Sequence, residues 1–232
     1  MNYESRAISL LHYKFGEGSV IAKIFTEDLG LKSYSVRRPK SKKSKNKISL
    51  LDNQSLISIN GKNNNKKEIQ YINELNLEYA FKGDNFKKKL IRMFMSEVLT
   101  KTLSESEVNK ELFNFLWQKN IALDQAEKVE KEFSLIFLME ISYYLGIYPS
   151  LENIEFDYFN INHGVFTEQE NILEYNLDGP NLKYFKKILQ NKKTNIPSEN
   201  VRELMEMIFT YYTCHHFDLS SLKSYEIIKS LD

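Results

Sequence analysis

Apolar and polar residues alternate with the period of a β-strand through the first third of the chain. The clearest case is residues 19–26, in which Val20, Ala22 and Ile24 share one side of the strand. Alternation of this kind, in segments rich in β-branched and aromatic residues, predicts half-buried strands. The five strands predicted in this way are residues 6–13, 19–26, 31–36, 48–59 and 69–77.

Five short strands with no helix of ten or more residues between them predict a small closed barrel of the oligonucleotide-binding (OB) type. Gly16-Glu17-Gly18 and Asn60-Gly61 supply turns between the strands. An SH3-like barrel fits the same pattern and stays open as an alternative. We assign residues 1–81 to this barrel and interpret it as an OB-fold nucleic-acid-binding domain.

The period changes to that of an α-helix after Gly83, and residues 82–232 predict a helical domain. Ser104-Glu105-Ser106-Glu107 has the form of a capping box and predicts a helix start. An irregular insertion at residues 150–179 contains one predicted hairpin, formed by residues 156–161 and 165–167. The other predicted helices are residues 86–103, 125–145, 180–190, 197–215 and 220–231. The predicted fold class is therefore α+β, a five-stranded OB-fold barrel followed by a C-terminal helical bundle.

The composition is that of an ordinary globular protein, with 42% hydrophobic residues. The chain has no long apolar run and no signal-peptide pattern, so we expect a soluble cytoplasmic protein with no membrane partner. Cys214 is the single cysteine, which excludes an intrachain disulfide. The net charge of +1 hides an asymmetry, because residues 1–81 hold 14 Lys and Arg against 8 Asp and Glu, and the remainder holds 18 against 23.

The strongest charge feature is the segment from Arg37 to Lys47, which carries seven positive charges and no acidic residue. Such a run cannot be buried, because an unpaired ammonium group costs too much free energy in an apolar interior. The segment is therefore a solvated loop, and the strand pattern places it between the third and fourth strands of the barrel. A merely solubilising loop is one interpretation, and a phosphate-binding loop held on a rigid scaffold is the other.

On the second interpretation the loop contacts phosphates through its Arg and Lys side chains. The predicted loop contacts are Arg37, Arg38, Lys40, Lys42, Lys43 and Lys45. Lys14 in the first connection and Lys23 on the second predicted strand add positive charge. Tyr13, Phe15 and Tyr34 offer rings on which bases can stack, although small barrels also fill their cores with such residues.

Nothing in the sequence predicts an enzyme, a cofactor or a metal site. The chain has no P-loop, no dinucleotide-binding glycine motif and no nucleophile elbow. In Cys214-His215-His216, neighbouring side chains on a helix point about 100° apart and do not converge on one metal ion. A hydrolase built on His163 or His215 would require a carboxylate or nucleophile brought near by folding.

Several segments, in order, resemble the family of the bacterial recombination mediator RecO. These are the opening strand at residues 4–10 and its turn at 16–19, IFTEDLG at 24–30, RRPKS at 37–41, YLGIYP at 144–149 and FDLSSLKS at 217–224. The resemblance spans nearly the whole chain. It implies a non-catalytic role in recombinational DNA repair, in which the protein loads recombinase onto single-stranded DNA coated with its binding protein. Strand annealing is expected from neutralisation of the charge on two strands at once.

The resemblance also implies the partners. They are single-stranded and double-stranded DNA, the C-terminal tail of the single-strand DNA-binding protein, and RecR. Many relatives carry a four-cysteine zinc module after the position of Pro149, whereas residues 151–168 here contain no cysteine. We expect the hairpin to be held by packing of Phe156, Tyr158, Phe159 and Phe166. The alternative function is a protein scaffold that does not bind DNA.

Overall fold

A computed structural model describes residues 2–37, 46–64, 66–82 and 85–231 of the chain. The fold consists of two compact units, residues 1–128 and residues 129–232. Among the described residues, no helix has both the length and the apolar character needed to cross a membrane.

The first unit is built on a closed five-stranded barrel. Its strands are β1 (Asn2–Phe15), β2 (Ser19–Thr26), β3 (Gly30–Arg37), β4 (Leu56–Lys62) and β5 (Ile69–Tyr79). They follow each other around the barrel in the order β1-β2-β3-β5-β4, and β4 pairs with β1 to close it. Among the described pairings between barrel strands, that of β3 with β5 is parallel and the others are antiparallel. This arrangement confirms the predicted OB-type barrel.

The alternation predicted for β2 is confirmed. Val20, Ala22 and Ile24 belong to the core inside the barrel, together with Tyr34 and Val36 of β3. The residues between them point outward, as the pleat of a strand requires. The register of these strands therefore decides which side chains reach the outer surface.

The strand predicted at residues 48–59 is wrong in its first half. Those residues form the short helix α1 (Asn46–Ser49) and a turn, and β4 begins only at Leu56. The turn contributes to the core of the barrel, because Leu51 is fully buried there. Gln54 takes a left-handed conformation with φ of 61°. Its backbone N–H donates to the Ser9 carbonyl at 2.7 Å, which fixes the turn on β1.

Two helices complete the first unit, α2 (Phe86–Thr102) and α3 (Lys110–Gln125). The predicted capping box at Ser104 is wrong, because α3 is capped by Asn109, whose side chain accepts from the Leu112 N–H at 2.9 Å. The segment around Ser104 lies against β3, where the Ser106 N–H donates to the Leu31 carbonyl at 2.8 Å. The backbone passes so close that a Cβ on Gly30 would meet the Glu107 carbonyl.

The second unit combines helices with a small sheet. Its helices are α4 (Phe133–Tyr144), α5 (Gly179–Leu189), α6 (Ser198–Cys214) and α7 (Lys223–Leu231). The sheet contains β6 (Tyr158–Asn160), β7 (Val165–Thr167) and β8 (Asn176–Leu177), in the order β7-β6-β8. The antiparallel pairing of β6 with β7 confirms the predicted hairpin. The helix predicted from residue 125 onward begins only at Phe133.

Aromatic packing joins this sheet to the helices of the second unit. The ring of Phe159 lies 5.1 Å from that of Phe166 and 4.8 Å from that of Phe185 on α5, measured between ring centroids. Phe159 is fully buried. Phe159 and Phe166, two of the four residues expected to hold the hairpin, therefore pack as predicted, while Phe156 and Tyr158 are partly buried.

Candidate nucleic-acid interface

The strand register aligns residues of four strands in one row on the outside of the barrel, with a tyrosine at each end. Tyr13 pairs with Ile21, Ile21 with Ser35, and Ser35 with Tyr71, so that these residues form one row across β1, β2, β3 and β5. Side chains of paired residues point to the same face of a sheet. Ile21 alternates with core residues, so the row lies on the outer side of the sheet. Ile21 itself is buried there, and the exposed side chains are Tyr13 and Tyr71 at the two ends of the row.

A second row lies next to the first, at the end of the β1–β2 hairpin. It contains Phe15, Ser19 and Arg37, which are paired with one another in that order. Tyr13, Phe15 and Tyr71 have exposed fractions of 51%, 56% and 52%. Half-exposed rings on one face of an OB barrel are suited to stacking on nucleic-acid bases. We call Tyr13, Phe15, Tyr71 and Arg37 the outer barrel face.

Positive charge borders the outer barrel face on the side of the β4–β5 connection. Lys66 and Lys67 of this connection are exposed, and the Lys67 ammonium lies 5.4 Å from the centroid of the Tyr71 ring. Sequence reasoning missed Lys66, Lys67 and Tyr71. The signal that could have found them is the rule that the first and last hairpin loops of an OB barrel flank its binding face.

Arg37 lies where the strand pattern predicts it, at the end of the third strand of the barrel. It is the last residue of β3 and is exposed. The basic segment follows directly, and the chain returns to the barrel through Leu51, which is buried in the core. Both ends of the segment are therefore anchored on the barrel, and it begins at the outer barrel face. The other predicted loop contacts, Arg38, Lys40, Lys42, Lys43 and Lys45, lie outside the described residues.

Tyr34 is not a stacking surface, which corrects its assignment to the site. Its side chain is fully buried inside the barrel, where it pairs with Ala22 and packs against Tyr3 at 6.4 Å between ring centroids. Burial raises the pKa of its hydroxyl well above the ordinary value for tyrosine. A base cannot reach a ring in this position.

The predicted contacts Lys14 and Lys23 differ in their surroundings. Lys23 faces outward, but its ammonium lies 3.8 Å from a Glu105 carboxylate oxygen, so its charge is partly neutralised. Lys14 is exposed. Since it alternates with Tyr13 and Phe15 along β1, it points to the opposite side of the hairpin. Lys23 is therefore partly neutralised, and Lys14 lies on the other side of the hairpin. Neither lysine adds a free positive charge to the row of aromatic side chains.

Arg6 is a basic residue of this unit that is engaged in its structure. Its guanidinium donates to both carboxylate oxygens of Glu27, at 2.9 and 2.8 Å, and to the Asn114 side chain at 2.9 Å. It also lies over the rings of Phe113 and Trp117 on α3. The hydrogen bond from Arg6 holds the pKa of the Glu27 carboxyl below its ordinary value. Arg6 thus joins the barrel to α3 and is not available to a phosphate.

Comparison with known proteins shows to which family this chain belongs. The family model described as recombination protein O N terminal matches residues 1–81, and the one described as recombination protein O C terminal matches residues 84–226. Together they cover nearly the whole chain. The chain belongs to the recombination protein O (RecO) family.

Relatives in the same family align along the full chain. The protein of Flavobacterium psychrophilum named DNA repair protein RecO is 31% identical, over 100% of this chain and 99% of its own length. That of Flavobacterium johnsoniae, with the same name, is 32% identical over the same shares of both chains. The DNA repair protein RecO of Bacteroides fragilis is 28% identical over 94% of each chain.

The insertion of this RecO family member is organised around a carboxylate. Glu174 accepts hydrogen bonds from the side chains of Asn160 at 2.5 Å, His163 at 3.0 Å and Asn171 at 2.8 Å. These bonds, that of Asn160 first, hold the pKa of the Glu174 carboxyl below its ordinary value. In the part of the chain that is described, no group of three or more His, Cys, Asp or Glu is placed to hold a metal ion. Asparagine and histidine bonds to one acid therefore tie the insertion together.

The second unit of this RecO family member also contains a small pocket between α6 and α7, next to α4. Apolar side chains from α6 and α7 line it, among them Val201, Met205 and Ile228. Lys131 and Arg202 bring positive charge to the same pocket. The pocket therefore places two cations beside an apolar wall, of which Val201 and Met205 are buried.

Proposed function

We propose that this RecO family member is a mediator of DNA repair and homologous recombination. In this role it binds single-stranded and double-stranded DNA without sequence specificity, promotes annealing and helps to load recombinase onto DNA coated with its single-strand binding protein. Family membership supports the repair role. The observation that carries DNA binding is the outer barrel face, where exposed rings and Arg37 meet at the start of the basic segment.

Binding in this proposal divides between two kinds of contact. Tyr13, Phe15 and Tyr71 stack on bases, which every base tolerates because each has an aromatic face. Arg37 and the basic segment that follows it donate to phosphate oxygens, which carry no sequence information. Annealing follows when phosphate charge on two strands is neutralised together. No bond is made or broken, and the protein acts without catalysis and without a cofactor.

We propose that residues 1–81 act as the nucleic-acid-binding domain and residues 82–232 as the domain for protein partners. This division coincides with that of the two family models. The proposed partners are the C-terminal tail of the single-strand DNA-binding protein and RecR. In the cell, such a protein works in the cytoplasm, in association with the nucleoid.

The pocket between α6 and α7 supports the tail as a ligand. An acidic, apolar tail can place its carboxylates near Lys131 and Arg202 and an apolar side chain at the half-buried Ile228, which lies at the edge of the buried wall formed by Val201 and Met205. Binding of a fluorescent tail peptide should weaken in the variant Lys131→Glu/Arg202→Glu. Equal binding by the variant and the unmodified chain would remove this pocket from the proposal.

The alternative function is a scaffold that binds proteins only. Filter binding with labelled single-stranded DNA at two salt concentrations distinguishes this scaffold from the proposed DNA-binding mediator. If five phosphates are neutralised, the logarithm of the binding constant should fall against the logarithm of salt concentration with a slope of roughly −3.5. The scaffold predicts no retention of DNA at physiological salt, and that result would contradict the proposed function.

A further inference from the structure

Positive charge in the second unit is concentrated in one short segment. Residues 129–232 hold 9 Lys and Arg against 16 Asp and Glu, so this unit is acidic as a whole. Five of the nine cations nevertheless lie between residues 183 and 193, and the nearest acidic residues along the chain are Asp178 and Glu199. A surface that only keeps the protein soluble does not need its lysines clustered in one segment, because charges scattered over the surface would serve solubility equally well.

Helix α5 presents two of these lysines on its solvent side. Leu182, Phe185 and Leu189 form the buried face of the helix. Lys183 and Lys187 are exposed and lie four residues apart, so that they are neighbours on the opposite face. Their separation along the helix is about 6 Å, and it is fixed by the helical backbone.

The end of α5 keeps the next two lysines beside the helix. Asn191 takes a left-handed conformation with φ of 54°. Its N–H donates to the Ile188 carbonyl and the Lys192 N–H donates to the Lys187 carbonyl, both at 2.9 Å. This pair of bonds is the Schellman motif, which folds the chain back onto the last helical turn. Lys192 is thereby held next to Lys187, and Lys193 follows it directly.

Structural roles account for only part of the cluster. Lys186 donates from its ammonium to the Phe156 carbonyl at 2.5 Å and lies over the Phe166 ring, so it belongs to the packing of the insertion. Lys187 lies in the last turn of α5, where the helix dipole favours a cation, and its ammonium lies 5.9 Å from the centroid of the Tyr184 ring. These structural roles account for Lys186 and Lys187 but not for Lys183, Lys192 and Lys193. Within the described part of the chain, no carboxylate forms a salt bridge with Lys183, Lys187, Lys192 or Lys193.

We propose that Lys183, Lys187, Lys192 and Lys193 form a second binding site for the phosphate backbone of nucleic acid. This inference rests on the proposed function, which it deepens by giving the chain a second place to hold a strand. Each ammonium donates to phosphate oxygens as a point charge, without reading sequence. Annealing requires two strands to be bound at once, and one basic site on each unit supplies two such places.

The chemistry of the cluster favours nucleic acid over an acidic apolar peptide. A peptide of that kind needs an apolar wall beside the cations, as in the pocket lined by Val201 and Met205. Leu182, Phe185 and Leu189 of α5 are buried, and Tyr184 and Ile188 are partly buried, so the exposed side chains of the cluster are its lysines. What the cluster presents is a row of exposed ammonium groups, and a polyanion with regularly spaced charges is the matching ligand.

The test uses the full chain and compares the variant Lys183→Glu/Lys187→Glu with the control Lys128→Glu/Lys223→Glu. The control reverses two charges at exposed lysines outside the cluster. Two readouts are taken over a series of salt concentrations, the affinity for labelled oligothymidine and the annealing rate of two complementary strands. For the cluster variant we expect annealing to slow by on the order of tenfold and the salt slope of binding to flatten by about 1.4. The control should behave like the unmodified chain.

The outcomes separate this inference from the function on which it rests. If the unmodified chain binds no DNA, the proposed function fails and this inference with it. If the unmodified chain binds and anneals DNA but the cluster variant matches the control, only the second site is overturned. If the cluster variant loses binding of an acidic tail peptide and keeps annealing, the cluster serves a protein partner, which also overturns the proposal. Thermal unfolding identifies any misfolded variant, for which Lys183→Gln/Lys187→Gln is substituted.

Discussion

Replacing Tyr13 and Tyr71 together with alanine is expected to weaken binding of single-stranded DNA by about a hundredfold. Each stacked base contributes roughly 1–3 kcal/mol by alanine substitution, and about 1.4 kcal/mol corresponds to a factor of ten. The two rings lie in one row across the barrel and are about half exposed. Fluorescence anisotropy with labelled oligothymidine at a fixed salt concentration measures the change.

A matched control for this pair exists in the second unit. Tyr143 and Tyr175 have exposed fractions of 64% and 63%, which are comparable with those of Tyr13 and Tyr71. The variant Tyr143→Ala/Tyr175→Ala should bind oligothymidine as the unmodified chain does. An equal loss in both double variants, or no loss in either, would show that the barrel rings do not form a specific stacking surface.

The second large effect is expected from the basic segment. Replacing Arg37, Arg38, Lys40 and Lys42 with alanine should lower DNA affinity and flatten its salt dependence by about 2.8, since each phosphate contact to a single strand contributes about 0.7 to the slope. The loss should be largest at low salt, where screening is weakest. A series of anisotropy titrations at increasing salt concentration measures both quantities.

Two paired variants within the same segment provide the control for this prediction. Arg37 is the last residue of β3, so its side chain starts from a fixed backbone position, and Arg38 is the next residue along the chain. Lys43 and Lys45 are farther along the segment and are expected to act through general electrostatic attraction. The variant Arg37→Ala/Arg38→Ala should therefore lose more affinity than Lys43→Ala/Lys45→Ala. A salt slope that is the same in the four-residue variant and the unmodified chain would contradict the assignment of phosphate contacts.

Much of the barrel was predictable because a strand has a period of two wherever it is half buried. The core positions Val20, Ala22 and Ile24 follow from that period alone, and β2 has the predicted bounds. The turn around Leu51 was not predictable in this way. Gln54 there is fixed by side-chain bonds to Ser96 and Asn120, which lie 42 and 66 residues away along the chain.

The candidate nucleic-acid interface was likewise only partly predictable from the local sequence. Tyr13 and Tyr34 are the same residue type on neighbouring parts of the barrel, and only the register shows that one faces solvent and the other the core. Tyr71 joins the site through the parallel pairing of β3 with β5, which local sequence does not specify. Lys67 lies in the connection before β5, and its ammonium is 5.4 Å from the centroid of the Tyr71 ring. The charge run and the period of the strands predicted where the basic segment starts. The pairing of strands that are distant in sequence decides which aromatic rings lie beside it.

The most direct test of the account is ultraviolet cross-linking of the full chain to oligothymidine, followed by identification of the cross-linked peptides by mass spectrometry. If the outer barrel face binds DNA, cross-links should map to the peptides that contain Tyr13, Phe15 and Tyr71, and competing unlabelled oligonucleotide should remove them. Cross-links that appear only in peptides of residues 129–232, or none at all under conditions where DNA is retained, would contradict binding by the barrel.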